Sequence, residues 1–188
     1  MKHPFDFIPD STRKPLFFTL LVLTLILVAV FRYLDQPLRT PIAPNGMVSF
    51  EFARTPEKAF QIMVSWEPIN FTGPEIIRLK AYLYAAFSLG IDYLFMPVYA
   101  STLALSTLLA AGRHKGWLNS LGAIAGWGAI GAAVFDAIEN YALLRVLLGN
   151  VTSPHPEIAA ICAGIKFSLI VFAFIYSLVG WVWPRTID

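Results

Sequence analysis

Leu16-Phe17-Phe18-Thr19-Leu20-Leu21-Val22-Leu23-Thr24-Leu25-Ile26-Leu27-Val28-Ala29-Val30-Phe31 is an apolar run interrupted only by two threonines and without a single charge. Extended to Pro15 on one side and Leu34 on the other, it is long enough as a helix to cross ~30 Å of hydrocarbon. Arg13 and Lys14 precede it. A cleaved secretory signal has a shorter apolar core and a small-residue cleavage site, and this run has neither, so it reads as an uncleaved membrane anchor.

The rest of the chain is of the same kind. Of 188 residues, 57% are hydrophobic and 14% charged, and the mean hydropathy is +0.64. A soluble domain of this size has no interior large enough for so much apolar material, whereas lipid accommodates it. Three further apolar stretches follow. A helical region runs from Pro74 to Ala111, with its spanning part at 87–111 and Pro97 inside it; the others cover 117–148 and 156–183. The expected fold is therefore an all-α integral membrane protein: one membrane domain over residues 1–188, an antiparallel bundle of four transmembrane helices spanning about 15–34, 87–111, 117–148 and 156–183.

Basic residues in short flanks set orientation. Lys2, Arg13 and Lys14 precede the first span, Arg113 and Lys115 lie between the second and third, and Arg185 follows the fourth. These positions place both termini in the cytoplasm of a plasma or inner membrane and segment 35–74 outside. Within that segment, Val48, Phe50 and Phe52 alternate with Ser49, Glu51 and Ala53, an extended pattern. Thr55-Pro56-Glu57-Lys58 then reads as a helix start, with Thr55 as N-cap and Pro56 at the first helical position. The helix is expected to run to Trp66, ended by Glu67-Pro68, with Phe60, Met63 and Val64 as its apolar stripe on the membrane surface or over the bundle mouth.

Charge inside the spans is the second informative feature. Phe135-Asp136-Ala137-Ile138-Glu139-Asn140-Tyr141 sets two acids and an amide in an otherwise apolar helix, where charge is costly and needs a partner or a task. Asp92 lies 20 residues back from Gly112, Asp136 lies 20 residues on from Gly116, and Lys166 lies 18 back from Pro184. At 1.5 Å per residue these counts are rises of ~27–30 Å, which puts the three charges in one layer of the external leaflet. Asp136, Glu139 and Asn140 share one face of their helix, above Ala129, Ala132 and Ala133. Ser88, Met96, Tyr99 and Ser106 share the Asp92 face, and Ala159, Ala163 and Ser177 share that of Lys166. The expected polar cluster is Asp92, Tyr99, Asp136, Glu139, Asn140 and Lys166, with Arg32 as a second cationic partner and Tyr93 and Tyr141 as further hydrogen-bonding groups. Arg145 points away from Asp136 and snorkels to the interface.

Three readings of this cluster compete. It can be a salt-bridge and hydrogen-bond network that fixes helix register. It can hold the polar head of a lipid, isoprenoid, quinone or pigment, which makes the chain a binding protein or an accessory subunit of a membrane complex. Or its carboxyls can act as general acid or base, or handle protons or a hard cation, which would make the chain an enzyme or a proton-coupled carrier. The sequence assigns no catalytic residue and no cofactor.

Several classes are argued against. A net charge of +2 with scattered basic residues does not suit nucleic acid. Cys162 is the single cysteine, so no internal disulfide and no paired-thiol chemistry is available. His3, His114 and His155 fall in tails or loops, which opposes haem ligation within the bundle and a zinc site, so no metal is expected. There is no Glu-x-x-His pair, no Gly-x-Ser-x-Gly elbow and no Walker-type phosphate loop. Gly122-x-x-x-Gly126 and Ala160-x-x-x-Gly164-x-x-x-Ser168 permit close helix approach, within the bundle, in a homodimer or onto a larger complex. Asn70-Phe71-Thr72 and Asn150-Val151-Thr152 match the glycosylation pattern on the expected external side. Trp117, Trp127, Trp181 and Trp183 include interfacial anchors.

Overall fold

The computed structural model describes residues 1–66 and 76–184, with backbone alone for 76–80. The expected helix stop at Glu67-Pro68, the pattern Asn70-Phe71-Thr72, the helix start at Pro74 and the flanking Arg185 lie outside the described residues. Those described form an all-helical chain: α1 (Asp10–Asp35), a 3-10 turn (Gln36–Leu38), α2 (Met47–Glu51), α3 (Pro56–Ser65), α4 (Ile76–Ala111), α5 (Trp117–Leu147) and α6 (His155–Val182). Four stretches are long and apolar enough to cross a membrane: Asp10–Leu38, Ala81–Ala111, Trp117–Leu147 and His155–Val182.

Helix ends follow local chemistry. Where Pro15 suggests a start, α1 begins at Asp10 instead, because Arg13 ion-pairs with Asp10 and donates Nε to the Ile8 carbonyl at 2.9 Å, closing a turn ahead of the proline. Thr55 caps α3 as expected, its hydroxyl accepting from the Lys58 amide at 3.2 Å with Pro56 following. Pro97 lies inside α4 without ending it.

Chain contacts gather into two compact units, through both of which the long helices pass. The first comprises residues 1–26, 95–135 and those from Ile165 onward. Its core is a seam of Ala104, Ala110, Ala111, Ala125, Ala129 and Ala173 closed by Tyr176, and small side chains of this sort let helix backbones approach. A Cβ at Gly122 would meet the Cβ of Ala111 at 2.5 Å, and one at Gly180 would meet that of Ala110 at 2.8 Å. The Gly122-x-x-x-Gly126 motif is thus consumed within the chain. A Cβ on Gly164, by contrast, would meet nothing within 4 Å.

The N-terminal tail belongs to this unit and is built into it. His3 is buried. The Phe5 amide donates to its Nδ1 at 3.1 Å, so the ring proton sits on Nε2, which donates to the Thr107 hydroxyl at 3.0 Å; that hydroxyl donates in turn to the Ala104 carbonyl at 2.8 Å. Trp127 Nε1 donates to the Lys2 carbonyl at 3.1 Å. Burial lowers the His3 pKa to about 4, opposed by the nearby Asp6 carboxylate and aided by Arg13.

The second unit covers residues 27–94 and 136–164. Here segment 35–66 is folded against the long helices: Leu38, Phe50, Ile62 and Trp66 share one buried core with Ala85, Leu89, Leu143 and Val146. Trp66 donates Nε1 to the Leu38 carbonyl at 2.8 Å and packs edge-on to Phe50.

Two expectations for this segment are corrected. Residues 47–51 are helical, not extended. Asp35, at the end of α1, accepts from the Met47 amide at 2.8 Å and so caps α2 from outside the local sequence. Burial then follows Met47, Phe50 and Ala53, a spacing of three that overrides the alternation of Val48, Phe50 and Phe52. In α3 the buried face is Ala59, Ile62, Met63 and Trp66; Phe60 and Val64 lie beside it, 57% and 45% exposed. The stripe expected as Phe60, Met63 and Val64 is therefore split between core and surface.

Candidate functional site

The buried carboxyl cluster is assembled from two helices of the second unit. On α5, Asp136 is 2% exposed, Glu139 0% and Asn140 2%. Their spacing of three and four puts them on one helix face, and Ala142, Leu143 and Val146 continue the burial beyond them. From α4 comes Asp92. The Asn140 amide donates to Asp92 Oδ2 at 2.9 Å and to the Leu89 carbonyl at 3.3 Å, so one side chain ties α5 to both a carboxylate and the backbone of α4. Tyr93 reaches the Ala137 carbonyl at 3.5 Å, a long contact between the same two helices.

Asp92, Asp136, Glu139 and Asn140 are thus in one unit. Tyr99 and Lys166 are both buried, but they belong to the other unit. The Lys166 ammonium lies 4.9 Å from the centroid of the Phe167 ring. Arg32 is exposed and forms no ion pair among the described residues, so it is not the cation that faces these acids. Tyr141 and Arg145 are exposed on α5. Ser88, Met96, Tyr99, Ser106, Ala129, Ala132, Ala159, Ala163 and Ser177 are all buried, as faces turned inward require; Ala133 is only partly so.

The chemistry open to this cluster is narrow. Its side chains offer oxygen acceptors and one amide, a set that can hold a proton, a hydroxyl or an ammonium group. No group of three His, Cys, Asp or Glu side chains arranged to hold a metal ion occurs among the described residues.

A groove does occur elsewhere in the second unit, and sequence reasoning missed it. Tyr33 and Leu34 of α1 and Leu83, Tyr84 and Phe87 of α4 line a space of about 450 Å³. The Tyr33 and Tyr84 rings stand edge to face with centroids 6.5 Å apart. On α4, Leu83 and Phe87 project about 140–180° away from Asp92 at 100° per residue, so groove and acids use opposite faces of one helix. A signal was present: aromatic and aliphatic residues at positions 83, 84 and 87, about one and a half to two and a half turns before the charged Asp92, meet the tyrosine at the end of the first span.

Two of the three histidines set aside as tail or loop residues are buried. His114, just beyond α4, donates Nε2 to the Gly180 carbonyl at 3.0 Å, and His3 is held as described above. His155 opens α6 and pairs with Asn150 at 3.2 Å, within the pattern Asn150-Val151-Thr152. In comparisons with known proteins, no family model, no curated protein and no solved structure matches this chain.

Proposed function

We propose that this chain is an integral membrane protein that binds the hydrocarbon part of a lipid-like molecule, an isoprenoid, quinone or pigment among them, in the groove between Tyr33 and Phe87. The groove itself carries the reading. Its volume of about 450 Å³ is of ligand size, and its walls are aromatic and aliphatic, two tyrosines among them. Membrane embedding is supported by the exposed surfaces of the long helices, which are apolar where a soluble protein would be polar: Phe18, Val22, Leu25 and Ile26 on α1, and Val171, Phe174, Ile175 and Leu178 on α6. The bundle is antiparallel in this reading, with both termini cytoplasmic and segment 35–66 external in a plasma or inner membrane, supported by Lys2, Arg13, Lys14, Arg113 and Lys115 in the flanks.

Purification in mild detergent followed by solvent extraction, mass spectrometry and absorption spectroscopy tests the proposal. A recurrent isoprenoid, quinone or pigment, reduced in amount by Leu83→Trp but retained in Leu94→Trp, is the expected result. An empty wild-type protein, or equal recovery from both variants, sinks it.

An enzyme or proton-coupled carrier is the second reading, favoured by the burial of Asp136 and Glu139 beside the Asp92–Asn140 hydrogen bond. Glu139→Gln and Asp92→Asn would then fold while abolishing proton-coupled transport in proteoliposomes. Misfolding of both favours a purely structural network.

A further inference from the structure

Basic and aromatic residues gather where α4 ends and α6 ends, within the first unit. The His114 ring is 2% exposed. Because a carbonyl only accepts, the hydrogen bond to Gly180 fixes the ring proton on Nε2. Nδ1 is then a bare acceptor, buried, with no hydrogen-bond partner among the described residues. Beside it, Arg113 shows the complementary lack. Its Nε is buried without an acceptor, and its side chain makes neither an ion pair nor a hydrogen bond among the described residues. Instead the guanidinium stacks 5.5 Å from the centroid of Trp181. Buried polar atoms of both kinds are costly when unmet.

The surroundings indicate what would meet them. Trp117, Trp181 and Trp183 are exposed at this end, and tryptophans of this kind sit at headgroup level. Lys115 adds a further positive charge.

We propose that Arg113 and His114 form a binding site for the headgroup of an anionic phosphoglyceride. A phosphodiester oxygen accepts from Arg113 Nε, and a headgroup hydroxyl donates to His114 Nδ1, with Trp181 as the platform under the guanidinium. Phosphatidylglycerol carries both functions. Phosphatidylcholine has a phosphate but neither a net charge nor a hydroxyl. The site requires the chain to be membrane-embedded but is independent of the groove, so either can fail alone.

Native mass spectrometry of detergent-solubilised protein mixed with equal phosphatidylglycerol and phosphatidylcholine provides the test. Wild type should retain phosphatidylglycerol preferentially, and Arg113→Gln should weaken that preference about fivefold, the effect of one basic residue at a membrane surface. Trp181→Leu, which leaves both polar residues in place, should weaken it in the same direction. Lys14→Gln, remote in sequence, should not. Equal retention of the two lipids by wild type, an unchanged preference in Arg113→Gln, or an equal loss in Lys14→Gln overturns the proposal. So does displacement of the lipid by millimolar inorganic phosphate, which would make this a site for the soluble anion.

Discussion

A Cβ built on Gly126 would lie 2.2 Å from Nε2 of His3. The absent side chain of one residue is therefore the space occupied by the ring of another, more than a hundred positions earlier in the chain. Gly126→Ala should expel the ring and free residues 1–9 while α5, which tolerates alanine well, stays helical. Limited proteolysis checks this: cleavage ahead of Asp10 should become fast in the variant and stay slow in wild type.

The same tail should respond to pH. His3 titrates near 6.5 when free and at about 4 when docked, so below pH 6.5 the released tail binds a proton that the docked tail does not. Docking is fully favourable above pH 6.5. It weakens by about 1.4 kcal/mol for each pH unit on the way down to about 4, below which the dependence levels off. Protonation also removes the Nδ1 acceptor used by the Phe5 amide. The protection factor of the Phe5 amide, its intrinsic exchange rate at each pH divided by the observed one, should fall over that window in wild type, and that fall should vanish in His3→Phe.

Asn140 should matter more than a typical exposed amide. Asn140→Leu strips a hydrogen bond from Asp92 and another from the Leu89 carbonyl, bonds that contribute about 0.5–1.5 kcal/mol each. A melt in detergent should show the loss, and the same change made in an Asp92→Ala background should cost less, because one of the two bonds is already gone. An Asn140→Leu cost undiminished in that background would contradict this account.

Gly46 has a φ of 56°, and a Cβ there would sit 2.1 Å from Asp35 Oδ1. Gly46→Ala thus meets both a conformational cost of about 1 kcal/mol and a collision with the carboxylate that caps α2. Asp35→Ala, which loses only the cap and the ion pair to Arg39, should cost about 1 kcal/mol. Protease sensitivity within residues 36–66 should rank Gly46→Ala above Asp35→Ala above wild type.

The four long helices were legible because length and hydropathy are local properties; the observed ends of the last two fall within one residue of those expected, while the first two begin five and six residues earlier than expected. Asp136, Glu139, Asn140 and Asp92 could be nominated because charge in an apolar helix is conspicuous in any sequence. Other features depended on distant residues. Nothing in Met47–Glu51 announces that Asp35 will cap it, and nothing in Gly126 announces a histidine from the tail. The groove escaped notice because it is a space between α1 and α4, and side-chain identity alone does not record space.

In the most apolar stretch of α1 only 6% of residues are buried, against 67% in that of α4. The two helices should therefore differ sharply in how freely their sequences can drift. No position between Leu16 and Ile26 is buried within the chain, so shuffling the order of its aliphatic residues at constant composition should leave the protein intact, whereas the same shuffle in α4 would scramble a unique set of neighbours. Deep mutational scanning would show the first helix as a broad plateau of tolerated apolar exchanges and the other as a periodic pattern of intolerance.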